Sequence, residues 1–182
     1  MVHDETAQIT LQIDSYHSIF SDFDPRPFSQ RALSADFLDE MKRACGDKPE
    51  GAIALRFLLK GARNTTDEHV IAKRLKSHFE RHHKELEKEK DRIIFKGMLF
   101  STVGIIFMFL TTMLLFRYEH TTLLASMFIV ILEPAGWFSF WEGLNQIFFE
   151  SKTVYPVLAF YKKMTAASIA FTTKERPSRL PT

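Results

Sequence analysis

Apolar and polar residues alternate in two short stretches near the start of the chain, "ITLQID" (Ile9 to Asp14) and "AIALRFLLK" (Ala52 to Lys60), the second placing Ile53, Leu55, Phe57 and Leu59 on one side. A period of two predicts strands of a sheet with one buried face. Between them, "LSADFLDEMKRACGDKPEG" shifts to helical spacing, with Ser34 as the predicted N-cap, Phe37, Leu38 and Met41 as an apolar stripe, and Gly46 as the stop. Strand, helix, strand at this spacing predicts parallel strands joined by a right-handed crossover. The stretch before the helix, "FSDFDPRPFSQRAL", is punctuated by Pro25 and Pro27 and reads as an ordered loop.

Thr65 and Glu68 fit a capping box that opens a second helix, carried on by Val70, Ile71, Leu75, Phe79 and Leu86. No breaker follows before Lys96, so this helix is expected to enter the next segment as one rod or with a bend at Gly97. There the polar half of the pattern disappears. "GMLFSTVGIIFMFLTTMLLF", Gly97 to Phe116, carries no charge, and roughly twenty helical residues cross a hydrocarbon layer of ~30 Å. Thr121 to Trp141 is similar with Glu133 as its one charge, and "RYEH" between them suffices to turn a helical hairpin. Pro156 is expected to open a short helix with Leu158, Phe160 and Tyr161, "ASIAFTT" reads as a third strand returning to the sheet, and "KERPSRLPT" as a disordered tail.

The fold class expected is therefore α+β: a two-helix transmembrane hairpin with a small cytoplasmic sheet-plus-helix domain formed from both termini. Residues 1–92 would form that domain and the helix leading to the membrane, 93–150 the hairpin (spans about 97–116 and 121–141), and 151–182 the return to the sheet. Basic residues sharpen the picture. Arg81, Lys84, Lys88, Lys90, Arg92 and Lys96 precede the first span, Lys152, Lys162 and Lys163 follow the second, and the loop offers only Arg117. The positive-inside rule then puts both termini in the cytoplasm of a multi-pass protein of the inner (plasma) membrane. Trp137 and Trp141 lead an aromatic cluster toward the inner end of the second span, where an interfacial belt is expected.

A net charge of +2 on 182 residues, with no basic stripe interleaved with aromatics, gives no reason to expect a nucleic-acid partner. The single cysteine, Cys45, excludes an internal disulfide and fits a reducing compartment; nothing around it in the sequence activates a thiol. The first residues lack the apolar core of a cleavable leader.

Candidate chemistry centres on Glu133. A charged carboxylate at the middle of a span costs on the order of 2.5–3.5 kcal/mol on insertion scales, so it is expected to be protonated, paired or wetted. Pro134 beside it frees the carbonyl of Val130 to accept another donor. A level hairpin would put Glu133 beside Gly104, with Ser101 and Thr102 about a turn deeper, and no basic side chain of the same hairpin within reach. Glu133, Pro134, Ser101 and Gly104 thus form a candidate pore or intramembrane polar site. Small residues at Gly97 and Ser101, and at Ala135 and Ser139, favour association of helices. Two readings follow: several copies arrange Glu133 as a ring lining a pore, or a protonated Glu133 bonds a neighbouring helix.

The run "LEPAGWF" followed by "TVYP" resembles the pore-helix motif of mitochondrial calcium uniporters, two-span channels whose acidic pore mouth includes a glutamate-proline pair. It departs from that motif where the family has a tryptophan and an aspartate before the glutamate: here these are Ile129 and Val130. Over nearly the whole chain, "FSDFDPRPFSQRALSADFL", "KRLKSHFERHH", "GWFSFWEGL" and a later "YP" are similar to a family of small two-span bacterial membrane proteins, which implies a bacterial inner membrane and a shared architecture without implying an activity.

Other candidates are weaker. His78, His82 and His83 place two imidazoles one turn apart on one helix face, a zinc-compatible spacing, but no cysteine or third ligand stands at motif distance, and a solvated or lipid-facing juxtamembrane helix accounts for them. Asp22, Asp24 and Arg26 form a candidate cytoplasmic binding loop, though Asp-Pro loops ordinarily spend such residues on local turns. No Walker loop, GxSxG or HExxH is present, so no enzyme, metal or cofactor is expected. The expected partners are the lipid bilayer, further copies of the chain and a cytoplasmic protein. The leading function is an oligomeric cation channel or permeability protein; the alternative is a membrane-anchored interaction or regulatory module without transport.

Overall fold

The computed structural model describes residues 7–46, 53–117 and 122–173. Tyr118, Glu119 and His120 of the expected turn, Thr121 at the start of the expected second span, and the tail from 174 lie outside them. The fold is α+β, and the chain divides into two compact units. One takes the described residues up to Lys84 together with those from Ala159 onward; the other is Glu85–Leu158.

In the first unit, β1 (Ala7–Ile13), α1 (Ala35–Gly46) and β2 (Ile53–Leu59) make the strand, helix, strand sequence that the alternation predicts, with ends shifted by one or two residues. The strand that follows both long helices in the chain, β3 (Ser168–Thr173), completes a three-stranded sheet in the order β1-β2-β3, all parallel. Register aligns Ile9 with Leu55 and Ile169, and Leu11 with Phe57 and Phe171. Because side chains alternate along a strand, this puts Ile9, Ile13, Ile53, Leu55, Phe57, Leu59 and Phe171 on one buried face. Gln8, Thr10, Gln12, Arg56, Ser168 and Ala170 form the opposite face, which is exposed. Against the apolar side stand Met41 of α1 and Ile71, Leu75 and Phe79 of the next helix, each fully buried. Burial of such side chains contributes about 1.5–3 kcal/mol apiece.

Helix α2 runs unbroken from Thr65 to Arg117, so Gly97 makes no bend that interrupts it. Its cap is Asn64, one residue earlier than the capping box predicts: the Asn64 side-chain oxygen accepts from the Thr66 N–H at 3.1 Å, and its carbonyl accepts from Glu68 N–H at 3.0 Å. Glu68 is drawn into a different network, described below.

The second unit pairs α2 with α3 (Leu123–Asn145). After α3, the π-helical turn Gln146–Glu150 leads straight into α4 (Ser151–Ala166), and Pro156 lies inside α4 instead of opening it. Both long helices are apolar enough to cross a membrane, and their outward side chains are bare: Phe109 is 66% exposed and Val130 70%.

Glycines bring the two helices together. A Cβ on Gly97 would stand 2.8 Å from the Gly143 carbonyl oxygen, and one on Gly104 would stand 2.7 Å from that of Gly136. Gly97 and Gly104 are two turns apart on α2, as are Gly136 and Gly143 on α3, so the same interval on both helices fixes an antiparallel register. Ser101, between the α2 glycines, faces Gly143. Gly136 and Gly143 are therefore small residues that α3 presents to α2.

Candidate functional site

The glycine register places Glu133 about one helical turn nearer the loop than a level hairpin would. Gly104 meets Gly136 and Phe140, while Glu133 lines a shallow cavity of about 360 Å³ with Met108, Thr111, Thr112, Leu115 and Trp137. Glu133 is ten residues into α3, roughly 15 Å along its axis, and it is exposed on the outside of the helix pair. Among the described residues no hydrogen bond or ion pair reaches its carboxyl group.

The two threonines opposite it were not singled out by the sequence, because nothing in an apolar run marks which hydroxyl faces an acid until the register is known. Thr111 is buried, and its hydroxyl donates to the Phe107 carbonyl at 2.9 Å; Thr112 donates to Met108 at 2.8 Å. Each hydroxyl keeps an acceptor lone pair, so the cavity holds a carboxyl group and two further oxygens. Pro134 lacks an N–H, which leaves the Val130 carbonyl without its helical donor on the same stretch. These oxygens suit a cation or a protonated acid from a neighbouring helix. Trp137 borders the cavity and stacks on Trp141, ring centroids 6.3 Å apart, both rings more than half exposed. Ser101 and Gly104 belong to the helix contact, away from this cavity; the Ser101 hydroxyl oxygen is buried and makes no hydrogen bond among the described residues.

In the other unit, the loop of Asp22, Asp24 and Arg26 is closed by a bridge between Phe20 and Leu33. Asp24 accepts from Arg26 Nε at 2.9 Å, Arg26 Nη2 at 2.8 Å and the Ala32 N–H at 2.7 Å. The Arg26 guanidinium foremost, then the Ala32 N–H, holds its carboxyl well below the usual carboxylate range. Asp24 and Arg26 are thus engaged in shaping the loop, and Asp22 is exposed with the Arg31 guanidinium 4.0 Å away.

Sequence reasoning also missed a buried polar network at the start of α2. The Tyr16 hydroxyl donates to Glu68 Oε1 at 2.8 Å and accepts from the Asn64 N–H at 3.0 Å, while Arg63 grips both Glu68 oxygens at 2.9 and 2.8 Å. The Arg63 hydrogen bonds, opposed by burial and aided by Tyr16, lower the Glu68 pKa; burial, with the Glu68 charge, raises that of Tyr16. The Tyr16 hydroxyl and both Glu68 oxygens are all engaged there, as a structural tie requires. His78 and His82 stand with ring centroids 4.3 Å apart and Tyr161 stacked on His82, and among the described residues no group of three metal-ligating side chains forms. Cys45 is buried, which raises its thiol pKa against the opposing charge of Lys163.

Compared with protein-family models, with curated proteins and with solved structures, the chain matches none. Its two long, exposed helices are apolar enough to cross a membrane, a composition compatible with a two-span membrane protein.

Proposed function

We propose that the chain is a two-span inner-membrane protein, both ends cytoplasmic, whose copies associate through the Glu133 face of the hairpin and pass cations along it. The observation that carries this reading is the exposure of Glu133 without a partner among the described residues. In lipid such a group is unfavourable by about 2.5–3.5 kcal/mol per copy, a penalty relieved when further copies bring water, a counter-charge or a hydrogen-bond partner to it. Two helices cannot enclose a path, so conduction requires a closed ring of chains. Thr111, Thr112 and the Val130 carbonyl would supply neutral oxygens beside the carboxylates. The resemblance to small two-span bacterial membrane proteins supports the inner-membrane placement, and the uniporter-like "LEPAGWF" supports the cation path.

The test uses the full chain in liposomes. Glu133→Gln should retain the oligomer and change cation flux severalfold, because it removes charge while conserving shape. A detergent-solubilised particle with the mass of one chain, or equal flux in both proteins, would overturn the channel. A second reading, a membrane-anchored interaction module, is favoured by the exposed polar sheet face of Gln8, Thr10, Gln12 and Arg56, and predicts no flux in either protein.

A further inference from the structure

Behind the Asp24 loop, α2 and the turn after Pro27 flank an open cleft of about 380 Å³ lined by Ser29, His69, Val70, Lys73, Arg74 and Ser77. His69, Lys73 and Ser77 recur every fourth residue and so lie along one stripe of α2, with Arg74 beside them. Ser29 faces them from a turn in which the Gln30 and Arg31 N–H groups both donate to the Pro27 carbonyl, at 2.9 and 3.0 Å. Arg74 Nε donates to the Arg31 carbonyl at 3.1 Å, which ties loop to helix and holds the guanidinium at the cleft. Among the described residues no carboxylate pairs with Lys73 or Arg74, whereas Arg26, Arg31 and Arg63 each have one. The lining holds two basic side chains, an imidazole and two hydroxyls, and no acid.

From this we infer that the cleft binds a phosphate monoester, its dianion held by Lys73 and Arg74 and its oxygens by Ser29, Ser77 and His69. A guanidinium, an ammonium and hydroxyl donors converging from two walls match a tetrahedral oxyanion better than a planar carboxylate. The cleft is also larger than one phosphate group, leaving room along Val70 for the organic part of the ester. The site lies outside the hairpin and does not depend on the channel reading. The same chemistry is carried by a soluble phosphate ester or by a lipid headgroup, and the experiment separates them.

Full-length protein is titrated in detergent with inorganic phosphate at constant ionic strength, and in nanodiscs with and without phosphatidic acid. The native chain should bind at least one probe, and Lys73→Gln should weaken that binding roughly tenfold, as loss of a charge-assisted hydrogen bond does, with Lys73→Arg restoring most of it. Lys76→Gln, which removes an exposed charge from the same helix but not from the cleft, should leave it unchanged. Binding of free phosphate points to a soluble ester; binding of the lipid alone points to a headgroup. The inference is overturned if neither probe binds, if Lys73→Gln has no effect, or if Lys76→Gln weakens binding equally.

Discussion

At the residue scale, the polar contact with the clearest thermodynamic signature is that of Tyr16, Asn64, Arg63 and Glu68. Removing the phenol oxygen strips Glu68 of a donor and the Asn64 N–H of its acceptor, so Tyr16→Phe should destabilise the sheet unit by about 1 kcal/mol in chemical denaturation. The pH dependence has a definite sign. Glu68 is depressed below its ordinary 4.5, so its contribution is complete above that pH and fades as pH falls through the folded value. Tyr16 is raised above its ordinary 10.0, so its contribution is complete below 10.0 and fades as pH climbs through the folded value. Stability measured against pH should therefore fall on both flanks, and Tyr16→Phe should flatten the alkaline one; an unchanged alkaline flank would contradict the assignment.

At the scale of elements, the glycine contact between α2 and α3 makes a sharp contrast with a glycine that touches nothing. Gly104→Val pushes a side chain into the backbone of Phe140 and Gly136, and should loosen the hairpin by about 1–3 kcal/mol in detergent unfolding. Gly46 has open space around its Cβ position and ends α1 without a left-handed backbone, so Gly46→Ala should be neutral or stabilising by up to ~1 kcal/mol. Equal effects at the two sites would refute the register described here. That register also explains what could be read beforehand. The strands were legible because alternation of apolar residues has one physical cause, burial of a single face, and Ile53, Leu55, Phe57 and Leu59 obey it without exception. The helix cap slipped by one because Asn64 and Thr65 both suit the position, and Glu68 had a stronger partner in Arg63 than in the backbone. Thr111 and Thr112 stayed hidden because locating the neighbours of Glu133 needs the offset between two helices. The equal spacing of Gly97 with Gly104 and of Gly136 with Gly143 carries that offset, but only when the two helices are read together.

For the whole molecule, the position of β3 is decisive. It pairs with β2 along its length, from Ala54 with Ser168 to Leu59 with Thr173, although more than a hundred residues separate them. A chain stopped before Ala167 loses this strand and the Phe171 ring that meets Phe57 at 5.2 Å and Tyr16 at 5.9 Å. It should show faster proteolysis of the β1–β2 region, while a cut at residue 174 should change it little; resistance in the shorter chain would mean that β1 and β2 hold without β3. Sheets of two strands are marginal in water, which sets the direction of the effect.

That arrangement also imposes a schedule on biosynthesis. The ribosome makes β1 and β2 early and β3 only after both long apolar helices, so the β2 edge that β3 will occupy stays open until they have been synthesised. Completion of the sheet thereby reports that everything between its strands has been synthesised, and a chain stalled midway carries a vacant strand position that proteases and chaperones can recognise.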